Sequence, residues 1–139
     1  MKTKVVNRYY CDFCKKSGCC KSAMVKHEAR CTMNPGRECG LHEIMQQAFE
    51  CEPAPPISTL LAMLPEPQFK WDGDVFDRDE LDAAIIEVEK AACGCPTCTL
   101  SALRQKGWTP MACYDTKAKI EAIFREINES QQTISNSLY

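Results

Sequence analysis

Four residues near the start of the chain have the types and the spacing that bind a metal ion. Cys11 and Cys14 are separated by two residues, and His27 and Cys31 by three. A Cys-x2-Cys turn directs two sulfur atoms inward, and two ligands at positions i and i+4 share one face of a helix. Thiolate sulfur and imidazole nitrogen are the ligands that Zn²⁺ takes at tetrahedral corners. The spacing therefore predicts a closed zinc site rather than four ordinary buried side chains.

The segment that contains these ligands resembles the C2HC variety of zinc finger, over about residues 9–31. Tyr10 stands where such fingers carry an aromatic residue before the first cysteine, and Met24 stands where they carry a core leucine. Gly18 and Cys19 occupy the region where a large aromatic residue is expected. The resemblance implies a ββα-like fold whose own core is thin, so that the rest of the chain has to support it.

A second set of metal ligands is divided between two distant parts of the chain. Cys39 and His42 have x2 spacing at the start of an expected helix, and Cys95 and Cys98 enclose a Pro-Thr pair that is typical of zinc-binding turns. Together they predict a second Cys3His site, so that each site uses one of the two histidines. Cys93 could replace Cys95 or His42, and this segment could instead only pack a corner between two helices.

Charge is distributed unevenly, although the formal net charge is only −2. Residues 1–37 contain nine basic and two acidic residues, a net charge of +7. Residues 38–139 contain eight basic and seventeen acidic residues, a net charge of −9. Three zinc-bound thiolates and one Zn²⁺ would change the charge of the finger by only about −1. A basic finger joined to an acidic body indicates contact with phosphate groups or attraction between the two parts.

Contact between the finger and nucleic acid would use side chains on and around its helix. Five cations are expected on phosphate groups, and only Lys26 and Ser22 have side chains that could read a base edge. The expected contact residues are Lys15, Lys16, Lys21, Ser22, Lys26 and Arg30. So few base-reading groups predict weak, salt-sensitive binding with little sequence specificity. The same cations could instead dock the finger on its own acidic body, or simply lie in solvent.

Hydrophobic periodicity predicts helices for most of the remaining chain. They are expected at residues 41–49, 58–64, 77–92, 97–106 and 115–128. Ser58 and Asp115 have the side chains of N-caps. Strand is expected only in the hairpin of the finger. The predicted fold is therefore mainly α with a small zinc-stabilised β-hairpin, in which a ββα-like finger precedes a helical body closed by the second zinc site.

Three units follow from these patterns. Residues 1–37 are expected to form the finger with its basic flank, and residues 38–129 the acidic helical body with the second zinc site. Residues 130–139 are expected to be a mobile polar tail. No run of about 18 apolar residues occurs, so the sequence predicts no membrane span.

The sequence lacks the motifs of common enzyme sites. Both histidines are expected to be ligands, and a Cys3His site leaves no open position for water at the metal. The chain has no P-loop, no His-Glu-x-x-His motif and no Gly-x-Gly-x-x-Gly motif. The zinc-deaminase pattern of His-x-Glu with Pro-Cys-x-x-Cys is missing as well. We therefore expect no catalysis and no small-molecule substrate.

Cysteine is unusually frequent in this chain, with eleven residues. Because the N-terminal residues do not form the apolar core of a signal peptide, we expect metal binding in a reducing cytoplasm rather than disulfides. Four cysteines have no assigned role: Cys19, Cys20, Cys51 and Cys113. The adjacent pair Cys19 and Cys20 could be redox-active or could be spare thiols.

The longer pattern from Cys11 to Cys39, followed by Cys-Pro-x-Cys and Leu-Ser-Ala-Leu-Arg-Gln, resembles small phage and prophage zinc-finger proteins of unassigned role. In that pattern residue 42 is usually Cys, and here it is His42, which can also bind zinc. The resemblance implies two zinc ions and a bacterial cytosol, the host cytosol for a phage protein. Two functional hypotheses follow: nucleic-acid binding through the finger, or an adaptor or inhibitor that binds a host or phage protein complex.

Overall fold

The computed structural model describes residues 1–67, 78–108 and 114–137, with side chains described up to residue 130. The order of its elements is ββα followed by five helices. They are β1 (Tyr9–Tyr10), β2 (Ser17–Gly18), α1 (Lys21–Arg30), α2 (Gly40–Phe49), α3 (Ile57–Met63), α4 (Arg78–Ala91), α5 (Pro96–Lys106) and α6 (Thr116–Ser137). The prediction of a mainly helical fold with a small antiparallel hairpin is confirmed.

The N-terminal elements form a small unit with a thin core of its own. Strands β1 and β2 pair in antiparallel register, with Tyr9 opposite Gly18 and Tyr10 opposite Ser17, and α1 contacts both strands. The buried side chains of this unit are Cys11, Met24 and Cys31. The expectation that Met24 is a core residue is confirmed, since only 6% of its surface is exposed. Two of three core residues are cysteines, so the unit has little apolar area with which to fold.

The helical body is built around α5. This helix contacts α2, α3, α4 and α6, and its residues 98–99 and 101–103 are all buried. Around it lies a second apolar cluster that includes Leu60, Leu81, Val88 and Trp108. The Trp108 indole N–H donates to the carbonyl of Pro65 over 2.7 Å, which joins the chain after α5 to the end of α3.

The segment between the finger and the body is held on α5. The Thr32 carbonyl accepts hydrogen bonds from the Ser101 hydroxyl and the Gln105 amide. The Gln105 amide also donates to the Asn34 carbonyl over 3.2 Å, and Arg104 donates to the Thr32 hydroxyl. The three ion pairs between described residues all lie in the body. Polar groups of α5 therefore hold this segment. None of the three ion pairs contains a basic residue of residues 1–37.

The same segment covers the carboxyl end of α1. Its donors are Asn34 Nδ2, Arg37 Nε and Glu38 N, and the acceptors are the carbonyl groups of residues 28, 30 and 29 respectively. The last carbonyls of a helix have no partner within the helix. Because the connecting segment satisfies them and also contacts α5, it fixes the direction in which the finger leaves the body.

The ends of two helices differ from the sequence-based expectation. Ser58 lies inside α3, whose N-cap is Pro56 and has no side-chain cap, so the predicted Ser58 cap is wrong. The Asp115 cap is confirmed, because its carboxylate accepts from the backbone N–H of Ala118 over 3.1 Å. Helix α6 was expected to end near residue 128 and continues to Ser137. No Gly or Pro occurs in residues 129–137 to stop it.

Membrane insertion receives no support from the described residues. None of their helices combines the length and the apolar character that crossing a bilayer requires.

Candidate metal centres

The first predicted ligand set comes together in the N-terminal unit. The ligand atoms of Cys11, Cys14, His27 and Cys31 all lie within 4.8 Å of one another, so they could hold one metal ion. Two of them belong to the turn that joins β1 to β2. The other two lie in the last turn of α1 and at its C-cap, one helical turn apart.

Backbone N–H groups of the turn are directed at its two sulfur atoms. The Phe13 N–H donates to Cys11 Sγ and the Lys16 N–H donates to Cys14 Sγ, each over 3.4 Å. The hydrogen bond from Lys16 lowers the pKa of the Cys14 thiol to about 7. A thiolate is the form that binds a metal, so the fold of the turn favours the charge state that a cation requires.

The separations at the first site agree with tetrahedral coordination. A metal with Zn–S and Zn–N bonds of about 2.3 and 2.0 Å places a sulfur and a nitrogen ligand roughly 3.5 Å apart. Cys14 Sγ lies 3.2 Å from His27 Nε2, close to that length. A shared metal ion would explain why this sulfur and this ring nitrogen lie so close together.

The second set brings three cysteines together across the body. The sulfur atoms of Cys39, Cys95 and Cys98 lie within 4.8 Å of one another and could hold a metal ion. Cys39 Sγ is 3.6 Å from Cys95 Sγ, near the roughly 3.8 Å that separates two sulfur ligands of a tetrahedral zinc. All three residues are buried. Residues 56 positions apart in sequence are therefore joined at one point.

Helix ends create the second cluster. Cys39 is the N-cap of α2 and Cys95 is the N-cap of α5. The partial positive charge at a helix N-terminus stabilises a thiolate, and two such ends meet here. The reversal from α4 into α5 uses Cys93 and Gly94, both in the left-handed backbone region with φ of 56° and 81°. This tight turn directs the first turn of α5 at Cys39.

The three buried thiols share their protons unequally. Hydrogen bonds from the Cys95 and Cys98 thiols hold the pKa of Cys39 far below its ordinary value. The same hydrogen bonds to the Cys39 thiolate raise the pKa values of Cys95 and Cys98. Metal binding by all three sulfurs as thiolates would release the protons that they hold without the metal.

His42, the predicted fourth ligand, is buried beside the three cysteines with 1% of its surface exposed. Its Nε2 lies 2.7 Å from the Glu52 carbonyl oxygen, which can only accept, so Nε2 carries the proton. Its Nδ1 lies 3.8 Å from Cys98 Sγ. The group of ligand atoms within 4.8 Å of one another contains the three sulfurs and not His42, so the ring is adjacent to the cluster rather than within it.

The remaining cysteines among the described residues lie outside both clusters. Cys93, the predicted rival ligand, has its sulfur 3.9 Å from the Glu52 carbonyl oxygen, whereas Cys95 lies in the cluster. Cys51 is half-buried, and burial raises the pKa of its thiol. The nearby Cys93 thiol raises the pKa of Cys51 further. Cys19 and Cys20 are exposed thiols before α1, and Cys113 lies outside the described residues.

Arg37 is a site residue that the sequence analysis counted only as a charge. It lies two residues before Cys39, and its positive charge contributes to the lowered pKa of that thiol. Its guanidinium also donates to the carbonyl of Arg30, at the end of α1, over 3.3 Å. A cation two positions before a ligand cysteine was the available signal, but only the fold places it beside both the finger and the cluster.

The residues predicted to contact nucleic acid are all exposed on the N-terminal unit. These are Lys15, Lys16, Lys21, Ser22, Lys26 and Arg30. Their exposure leaves them available to a ligand, and the three ion pairs between described residues use none of them. The guanidinium of Arg30 extends toward α2 and lies within 4 Å of the position that a side chain on Gly40 would occupy.

Comparison with protein-family models, with curated proteins and with solved structures finds no match to this chain. The resemblance to C2HC fingers and to small phage zinc-finger proteins therefore stays a prediction.

Proposed function

We propose that this protein holds two structural zinc ions and binds nucleic acid weakly, with little sequence specificity, through the basic surface of its finger. Under this proposal it catalyses no reaction. The observation that carries the proposal is the set of exposed cations on a unit with a net charge of +7, in which four ligand residues could hold one metal ion.

Zinc is the metal that the two ligand sets favour. Thiolate sulfur with imidazole nitrogen, closely spaced and largely buried, is the ligand chemistry of tetrahedral structural zinc sites. The first set supplies all four ligands. For the second we propose that the fourth is His42, because its protonated Nε2 leaves the lone pair of the neutral ring at Nδ1, the atom nearer Cys98. A hydrogen bond from the other ring nitrogen to a backbone carbonyl is typical of metal-bound histidine.

Substitution of His42 tests the fourth ligand. Replacement by alanine is expected to weaken zinc binding at the second site at least tenfold, because water would take the fourth position. His42→Cys, which supplies a sulfur ligand, is expected to retain two zinc ions. Competition with a metal chelator measures the affinity, and the absorption spectrum of the cobalt-substituted protein reports the ligand set. An unchanged affinity and spectrum in His42→Ala would show that the ring is only a buried neighbour.

The cations that we propose as phosphate contacts lie on and beside α1. Helix α1 has no acidic residue in its first turn, and the Glu28 carboxylate of its last turn accepts the backbone N–H of Asp12 over 3.0 Å. Asp12 and Glu28 are the two acidic residues of residues 1–37, against nine basic ones, so the net charge of this surface is positive. Each phosphate that it neutralises would release a counterion, so binding should weaken as salt increases.

The triple variant Lys21→Ala/Lys26→Ala/Arg30→Ala tests the phosphate contacts. We expect it to bind duplex DNA more weakly at low salt and to reduce the slope of log K against log salt by about 2 to 3, since each phosphate contact contributes about 0.9. Fluorescence anisotropy of a labelled 16-base-pair duplex at several salt concentrations measures both quantities.

A matched control has the same loss of charge in the body. The variant Lys90→Ala/Lys117→Ala/Arg125→Ala removes three exposed cations that the proposal does not use. It is expected to retain the salt dependence of the unmodified protein. Equal effects in both variants would indicate attraction by net charge alone, and no binding by the unmodified protein at low salt would eliminate the nucleic-acid proposal.

A second candidate function, as a protein-binding adaptor or inhibitor, is favoured by a cleft beside α2. The cleft has a volume of about 480 Å³ and is lined by residues of α1, α2, α5 and α6. Its apolar side chains are Leu41, Ile44, Ile120 and Phe124, and its charged ones are Arg30, Arg37 and Glu43. Ile44 and Phe124 are exposed. Binding on the apolar side chains of this cleft would depend less on salt than phosphate binding, which weakens steeply as salt increases. A shallow salt slope would therefore favour the second function.

A further inference from the structure

The hairpin of the finger presents an aromatic side chain on its outer face. Successive residues of a strand point to opposite sides, and in β1 Tyr9 packs against the finger core. Tyr10 therefore points away from α1, and 65% of its surface is exposed. Arg8 lies two residues earlier, and its guanidinium donates to the Ser17 hydroxyl over 3.1 Å. Because Ser17 is opposite Tyr10 in the hairpin, this hydrogen bond holds the cation on the side of the hairpin that carries Tyr10.

A second aromatic ring stands in the turn between the first two ligand cysteines. Phe13 is 39% exposed, and its backbone N–H donates to Cys11 Sγ. A metal at this site would hold the backbone of the turn rigidly, so the ring would be presented rather than allowed to fold inward. Tyr10 and Phe13 are three residues apart, which limits their Cα atoms to a separation of roughly 11 Å. We call these two residues the aromatic pair.

The aromatic pair is exposed, although burial of these rings would make the finger more stable. The finger core contains two cysteines and Met24 as its buried residues, and burial of a large ring would contribute about 1.5–3 kcal/mol more. Instead, both rings contact solvent while the core remains thin. An exposed aromatic side chain beside charged residues is typical of a binding surface.

Charge around the aromatic pair favours an anionic ligand. Arg8, Lys15 and Lys16 lie within three residues of one ring or the other, and all are exposed. Asp12 is the one acidic residue in this stretch, and it is exposed as well. An aromatic surface with surrounding cations is the combination on which single-stranded nucleic acids bind, because bases stack on the rings while phosphates contact the cations.

We propose that the aromatic pair stacks unpaired bases, so that the preferred ligand of the finger is single-stranded DNA or RNA rather than a duplex. This inference rests on the proposed nucleic-acid function and specifies its ligand. In a duplex the bases already stack on one another and offer only their edges. A finger that docks in the classical way would face those edges with Cys20, the N-cap of α1, and with Ser22, Ala23 and Lys26 of the helix. Only Ser22 and Lys26 have side chains suited to read a base edge.

The proposal is tested by anisotropy with the full-length zinc-loaded protein and three labelled probes. These are a 12-nucleotide oligothymidylate, a 12-nucleotide oligouridylate and a 12-base-pair DNA duplex at one low salt concentration. We expect the unmodified protein to bind both single strands more tightly than the duplex. Tyr10→Ala/Phe13→Ala is expected to weaken single-strand binding about tenfold or more, since stacking on one ring commonly accounts for a factor of about 5 to 150.

The controls separate stacking from folding and from charge. Tyr10→Phe/Phe13→Tyr keeps both rings and is expected to retain single-strand binding. The alanine variant should still contain two zinc ions and should keep the salt slope of the unmodified protein, because it removes no cation. Asp12→Asn is expected to bind single strands more tightly, because it removes the negative charge beside the pair.

The outcomes distinguish failure of the stacking proposal from failure of the nucleic-acid proposal. Equal affinity for single strands and duplex, with no effect of the alanine substitutions, would overturn the stacking proposal and leave phosphate binding intact. Absence of binding to all three probes at low salt would overturn both proposals. Loss of binding in the ring-conserving variant as well as in the alanine variant would also contradict stacking, because both rings are still present in the former.

Discussion

Replacement of Cys39 by serine is expected to reduce the zinc content from two ions to one and to unfold the helical body. Cys39 joins α2 to the first turn of α5, and α5 is the helix against which α2, α3, α4 and α6 pack. Structural zinc contributes roughly 10–16 kcal/mol to the folding of finger peptides. A domain of this size has a total stability of only about 5–15 kcal/mol, so loss of this site should be decisive.

Tryptophan fluorescence measures the fate of the body separately from that of the finger. Trp108 is 2% exposed and lies in the core of the body, so unfolding of the body should shift its emission to longer wavelength. Neither tryptophan lies in the N-terminal unit. Zinc content is measured by native mass spectrometry. Cys14→Ser is the matched control, because it also removes one ligand thiolate and one zinc ion but should leave the tryptophan emission unchanged.

Two further serine variants test which thiols belong to the second site. Cys51→Ser and Cys93→Ser each remove a thiol outside the cluster of Cys39, Cys95 and Cys98, and both are expected to retain two zinc ions. If Cys93→Ser lost a zinc ion while Cys95→Ser kept both, the ligand set described here would be wrong, and the turn before α5 would have to rearrange on metal binding.

Replacement of Trp108 by alanine is expected to destabilise the body by about 3–5 kcal/mol. The side chain is 2% exposed and lies in the same buried cluster as Leu60 and Leu81. Its removal would leave a cavity of a size that the neighbouring helices cannot close, and the carbonyl of Pro65 would lose its N–H donor. The melting temperature should fall by about 10–20 °C.

Trp108→Phe separates the two contributions. It keeps most of the apolar volume and loses the hydrogen bond, for which we expect a cost of about 1–3 kcal/mol. Thermal unfolding of the zinc-loaded protein, followed by circular dichroism, measures both variants. A change of less than 1 kcal/mol in Trp108→Ala would mean that the segment after α5 does not contribute to the core.

The first ligand set could be predicted because its geometry is local. Cys11 and Cys14 lie in one turn, and His27 and Cys31 lie one helical turn apart. Such spacings determine relative positions whatever the rest of the chain does. The helices of the body were also predictable, since apolar periodicity determines which face must be buried. The ends of the helices were less predictable. Ser58 was expected to cap α3 but lies inside it, because the helix begins after the prolines at positions 55 and 56.

The second ligand set required the tertiary structure. Sequence paired Cys39 with His42 and Cys95 with Cys98, but it could not choose between Cys93 and Cys95. That choice depends on the left-handed turn at Cys93 and Gly94. The turn directs the Cys93 sulfur toward the Glu52 carbonyl and the Cys95 sulfur toward Cys39. The exposure of the aromatic pair could not be predicted from the sequence either. An aromatic residue at position 10 or 13 is as consistent with a buried core as with a binding surface.

The sequence by itself therefore determined what is local in this protein: the first ligand set, the helical character and the charge of the N-terminal unit. Spacing, periodicity and charge depend on residues close together in the chain. Only the tertiary structure decided how the finger sits on α5, which three cysteines meet in the body and which rings contact solvent. These features depend on the packing of residues tens of positions apart, and the energies that select one packing arise only when the helices are assembled.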